Sequence, residues 1–152
     1  MSRKSKKRIN GLTTYDEIFQ CFMDNCEVSA EDIPSTNDGK YAMIKNAVKF
    51  YNSDLEKYKE YFQANIKADN TTEKLDYKLN DNELLILAYE IKVVHLKNKL
   101  MYFTQLYTPF TKELGQRNHA TQLKGREAIV KQAQEDVVKL INNKIYSEAL
   151  PE

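Results

Sequence analysis

The side chains able to do chemistry are few and scattered. His95 lies inside an apolar run, and no second histidine falls within a helical turn of it. It reads as a packed, hydrogen-bonded core histidine rather than a ligand or base. His119 falls near an expected helix start and reads as a cap or surface residue. Cys21 and Cys26 stand five apart with no second pair to complete a four-ligand zinc site. They are expected to be reduced thiols on or near a short helix. Four glycines are too few, and wrongly placed, for a phosphate-cradling loop or a nucleophile elbow. "ADNTTEKLD" offers oxygen ligands without the glycine and closing glutamate of a calcium loop. The acidic residues fall on polar faces, with no close pair forced inward. No enzyme, metal site or cofactor is expected.

Charge is unevenly spread. The 152 residues carry a formal net charge of +1, but "MSRKSKKR" concentrates Arg3, Lys4, Lys6, Lys7 and Arg8 at the start. The remaining 18 basic and 22 acidic residues give a body of about −4. Residues 1–12 therefore read as a disordered basic arm. Such an arm either binds a polyanion, releasing counterions from a nucleic-acid backbone, or is simply a solvated terminus. It has no aromatic residue to stack on a base. The opening is not followed by an apolar run, so no signal peptide is expected.

One segment organises the rest. "LNDNELLILAYEIKVVHL", Leu79 to Leu96, is apolar on nearly every side, interrupted only by Glu90, Lys92 and His95 once it turns greasy. It is too short and too charged for a membrane span and too long for a strand. Asn80 and Glu83 form a capping box, and Leu79 and Leu84 are placed for a hydrophobic staple. The segment is expected to be a buried central helix over about 80–100.

Its neighbours follow from spacing. "TTYDEIFQCFMDNC" reads as a short helix capped by Thr13 or Thr14, with Ile18, Phe19 and Phe22 on one face. A loop broken by Pro34 and Gly39 follows. Tyr41, Ile44, Val48, Tyr51, Leu55, Tyr58 and Phe62 form one stripe, predicting an amphipathic helix that continues to the end of it. Ile66, Leu75, Tyr77 and Leu79 suggest a small β-hairpin over about 64–79. "MYFTQLYTPFTKELGQRN" is expected to be irregular, because of Pro109 and Gly115. A last helix is predicted from Asn118–Thr121 to about Tyr146. The fold class is all-α: a small helical bundle in one domain, 13–146, with a tail at 147–152.

The aromatic segment has two readings. Tyr102, Phe103, Tyr107 and Phe110 would suit a subunit interface, and would equally suit a satellite core beneath a loop.

With these elements in order, the chain resembles the head–tail connector (adaptor) proteins of long-tailed bacteriophages. Leu79, Asn80, Asp81, Glu83, Ile86, Leu87, Ala88 and Leu96 match the opening of that family's central helix. Ala120, Leu123 and Lys124 match its closing helix, while Phe19, Phe50 and Leu55 fall in the expected places. The resemblance covers about 13–146. The basic arm, the aromatic segment and the Lys97-Asn98 that follows Leu96 depart from it. It implies a structural protein of the virion neck, assembled in the host cytoplasm as a homo-oligomeric ring, usually of twelve subunits. Such a ring sits below the portal protein, extends the DNA channel and contacts a downstream neck or tail-completion protein. Portal binding would fall to the C-terminal segment, with Ile145, Tyr146 and Leu150 as apolar anchors. The alternative is a small helical DNA-binding protein using the basic arm. It would need a recognition helix, for which the last helix offers Gln122, Lys124 and Arg126.

Overall fold

A computed structural model describes residues 11–107, 109 and 115–149. Four helices account for most of it: α1 (Tyr15–Asn25), α2 (Asn37–Leu55), α3 (Asp81–Tyr107) and α4 (Gln116–Ala149). Short 3-10 turns lie at Ala30–Asp32 and Glu56–Tyr58. A two-stranded antiparallel hairpin, β1 (Ala68–Asp69) and β2 (Lys74–Leu75), pairs Ala68 with Leu75.

α3 is the axis. α1, α2 and α4 each pack against it. From Glu83 to His95 its buried residues point in every direction: Ile86, Leu87, Ala88, Glu90, Ile91, Val93 and Val94 among them. No polar face exists to turn toward water, so the other helices must surround it. α1 covers it with Tyr15, Ile18, Phe19 and Phe22, and α2 with Met43, Ile44, Ala47, Val48, Tyr51 and Leu55. α4 contributes Ala133, Val137 and Ile141, a single stripe at helical spacing. Among the described residues no helix is long and apolar enough to cross a membrane.

The start of α3 is held by Glu83. Its Oε1 accepts from the backbone N–H of Asn80 at 3.0 Å, while Asn80 Oδ1 accepts from the N–H of Glu83 at 2.8 Å. This is the expected capping box. The second carboxyl oxygen accepts from the N–H of Gln63 at 2.6 Å, tying the loop after α2 to the central helix. Asn52 holds the same loop, bonding both N–H and carbonyl of Ile66 at 2.9 Å. Thr13 binds the hairpin side, accepting from the N–H of Leu79 at 2.8 Å through its hydroxyl and from Leu75 N–H at 2.8 Å through its carbonyl. Thr14, next along, caps α1.

Several boundaries differ from the sequence reading. α2 ends at Leu55, tightens into a 3-10 turn and reverses. Tyr58 and Phe62 thus leave the helix, and Phe62 enters the core from the loop that Asn52 and Glu83 capture. Gly39 is no loop breaker; it lies in the first turn of α2, where a Cβ would come within 2.7 Å of Pro34 Cβ. α3 does not stop near residue 100. It runs to Tyr107, because nothing breaks a helix before Thr108-Pro109. α4 begins at Gln116, after Gly115 at φ +83°, and continues through residues 147–149, assigned above to the tail. The thiols are free, with Cys26 buried in the core.

Replacing Glu83 by Ala leaves the Asn80 and Gln63 N–H groups without their acceptor. A loss of about 2–4 kcal/mol is expected, seen as a lower midpoint in urea unfolding. Glu83→Gln should recover part of it, since one amide oxygen can replace one carboxyl oxygen.

Candidate functional site

The two longest helices run past the core. Beyond Leu96, α3 is mostly exposed, and so is α4 before Val130. These stretches pair with each other around one buried side chain, Phe103. His119 stacks on its ring with centroids 5.6 Å apart and planes 15° from parallel. The Arg126 guanidinium lies 4.4 Å from the ring centroid, and Tyr107 packs 4.9 Å away. His119 and Arg126 are seven apart, two turns on one face of α4, so both reach the same ring. The result is a helical tip pinned by a cation and two aromatic contacts instead of an aliphatic core.

Open grooves flank Phe103. Asn98, Lys99, Tyr102, Tyr107 and Arg126 line one, and Tyr107, Asn118, Gln122 and Arg126 the other. Around them Met101, Tyr102, Leu106 and Tyr107 stand in solvent, Tyr102 at 65% exposure. Of the four aromatics marked in the sequence, Tyr102 and Tyr107 are therefore on the surface and Phe103 is the internal anchor. Phe110 lies outside the described residues, as do Arg3, Lys4, Lys6, Lys7, Arg8 and Leu150. Ile145 is half-buried against the core, whereas Tyr146 is 68% exposed near the far end of α4. His119, expected as a cap or surface residue, is half-buried in the Phe103 stack.

Where the tip joins the body, His95 is buried with Nε2 3.3 Å from Asp32 Oδ1, and Lys99 Nζ is 3.6 Å from the same oxygen. The expected packing of His95 is present, against Phe22 with centroids 6.2 Å apart, but its Nε2 makes no well-formed hydrogen bond. Burial holds the imidazole below its ordinary pKa, Lys99 adds to this, and Asp32 opposes it. Asp32 is held low chiefly by the Ser29 N–H, which favours its charged form. At neutral pH Lys99 is thus the cation facing Asp32.

Acidic residues do point inward, contrary to the sequence reading. Glu83 is consumed by the helix start. Glu90 is 2% exposed and lines a recess of about 180 Å³ between α2, α3 and α4. Burial first, then the neighbouring Asp54 carboxyl, push its carboxyl up to about 10, against a smaller pull from Lys97. Reading α2 alone hid the pair: Asp54 sits on the polar side, but at the edge that meets α3. Among the described residues no group of three or more His, Cys, Asp or Glu is placed to hold a metal ion.

The profile of the YomZ prophage protein family matches residues 12–146. The chain belongs to that family. A relative in Bacillus subtilis (strain 168), described as an SPbeta prophage-derived uncharacterized protein, is 35% identical over 132 residues. The match covers 87% of this chain and 95% of the relative, so both span essentially the same unit. The family match takes in the whole central helix, the hairpin and the last helix as far as Tyr146. A bacteriophage origin is thereby established. No solved structure gives a significant match.

Phe103→Ala should loosen the tip without unfolding the body. Amide exchange is expected to accelerate over 116–129 and stay slow over 83–95. Glu90 gives a pH signature. Its folded pKa lies above the ordinary 4.5, so its contribution is fully present below pH 4.5 and is lost as pH rises toward about 10. Glu90→Gln should unfold at nearly the wild-type temperature at pH 4.5. It should gain steadily, by at least about 2 °C at pH 8, in calorimetric scans.

Proposed function

We propose that this chain is a structural protein of the virion, a head–tail connector that forms a ring below the portal, joins capsid to tail and extends the DNA channel. The unpartnered aromatic tip carries the reading. Met101, Tyr102, Leu106 and Tyr107 are large hydrophobic side chains that the chain's own core leaves in water. Around a closed ring, each subunit offers one surface to one neighbour and a different surface to the other. A projecting tip that inserts against the next subunit's body meets that demand.

α4 supports the reading further. It carries His119 within the tip and exposed Tyr146 near its other end, about 40 Å apart along one continuous helix. One helix can thus touch a ring neighbour at one end and the portal at the other. The prophage family agrees with a virion protein, and the enclosed helix with its Asn80–Glu83 cap is the feature on which the resemblance to connectors rests. Duplex recognition through Arg126 is disfavoured, because its guanidinium is already held over Phe103.

Electron microscopy of the purified protein, alone and with portal, is expected to show rings or portal-capping discs. Tyr102→Glu with Leu106→Glu should abolish them while leaving the circular dichroism unchanged. Removing residues 146–152 should cost portal binding and spare folding, because Ile145 and the core stripe of α4 remain. A compact monomer in both samples would overturn the connector assignment. Tight duplex binding that disappears with residues 1–10 would replace it by a DNA-binding role.

A further inference from the structure

The recess holding Glu90 has an incomplete interior. α3 supplies Glu90 and Val93, α2 supplies Phe50 and Asp54, and α4 supplies Gln134, Val137 and Val138. Lys97 stands among the lining residues. Glu90 Oε1 is buried and has no hydrogen-bond partner. Asp54, an exposed residue of α2, faces the recess from the other helix and opposes the charged form of Glu90, and a buried acid oxygen without a partner is costly. Apart from the proton that Glu90 keeps at neutral pH, the two carboxyls have no positive charge between them.

Lys97 does not supply it. Its ammonium lies 4.5 Å from the Phe50 ring centroid, and no ion pair within 4.0 Å joins it to either carboxyl. It does show that the aromatic wall accepts an organic cation. The remaining walls are Val93, Val137, Val138 and Gln134. The lining offers two carboxyl groups and one amide, and among the described residues no group of three or more His, Cys, Asp or Glu is placed to hold a metal ion. A weakly hydrated head with apolar flanks fits better.

We propose that this recess is a binding site for one organic cation, a guanidinium or alkylammonium head held between Glu90 and Asp54 with its stem against Phe50 and Val138. The head donates to Glu90 Oε1 and to the Asp54 carboxyl, and Gln134 can accept a further N–H. Lys97, on a flexible stem, swings outward as the cation enters. Asp54 from α2 and Lys97 from α3 are the charged groups lining the recess beside Glu90; α4 contributes only the neutral Gln134. At neutral pH the Glu90 carboxyl gives up its proton to solvent as the cation arrives, so one positive charge replaces another and binding strengthens with pH. Two sources share this chemistry: a free small amine, or a lysine or arginine side chain of a neighbouring polypeptide. The second source rests on the connector reading; the site itself does not.

The test uses ethylguanidinium chloride against the full-length protein, followed by amide chemical shifts. Saturable shifts are expected around Glu90, Lys97 and Gln134, with affinity rising at least threefold from pH 6 to pH 8. Calorimetry in phosphate and in Tris should show proton release. Glu90→Gln, which keeps the shape, should weaken binding at least tenfold, and Asp54→Asn should weaken it as well. Lys97→Gln should tighten it, by removing a competing cation. Unsaturable shifts, or unchanged affinity in Glu90→Gln, would overturn the proposal. So would magnesium or calcium producing the same shifts at lower concentration, or Lys97→Gln destabilising the protein without tightening binding. The source is then read from assembly. If Glu90→Gln prevents self-association and ethylguanidinium competes with it, the cation is a neighbour's side chain. If assembly is unaffected while the probe still binds the wild type, the ligand is a free amine. Both results keep the site, and the second keeps it even where no ring forms.

Discussion

A helix with no polar side can be stable in water only if other elements hide it. That constraint on α3 sets the position of almost everything else. α1, α2 and α4 need share no contact with one another, provided that each covers part of the same rod. The hairpin and the loop after α2 close the end that the helices leave open. Glu83 is decisive there, because one carboxyl group both finishes the helix and holds the chain that crosses in front of it. Burying such a group is favourable only because both oxygens are used.

The same constraint explains what could be read without coordinates. Asn80, Glu83 and the apolar run announce the central helix by local rules, and the structure keeps them all. The stripe from Tyr41 likewise places α2, up to Leu55. Reading fails where a tertiary contact outweighs periodicity. Phe62 continues the helical spacing, yet Asn52 and Glu83 draw its segment into a reversal. It fails again at residues 101–107, expected to be irregular because of Pro109 and Gly115 although no residue among them stops a helix. Glu90 was visible only as an interruption. That its neighbour across the helix interface is another carboxyl depends on how α2 is rotated, which no pattern within α2 reveals.

Body and tip are built by different means. The body relies on aliphatic burial around α3. The tip uses a ring, a guanidinium and an imidazole, contacts that tolerate water at their edges. A surface made this way can be altered without endangering the fold, since little of the core depends on it. The family match over residues 12–146 spans both parts.

Gly125 sits in the exposed part of α4, five residues ahead of the buried Val130, and a Cβ placed on it would touch nothing. Glycine inside a helix weakens it by about 1 kcal/mol relative to alanine. The rod is therefore softest close to where its support begins. A sideways load at the tip is absorbed as bending near this position, and the packed interior behind it is spared the strain.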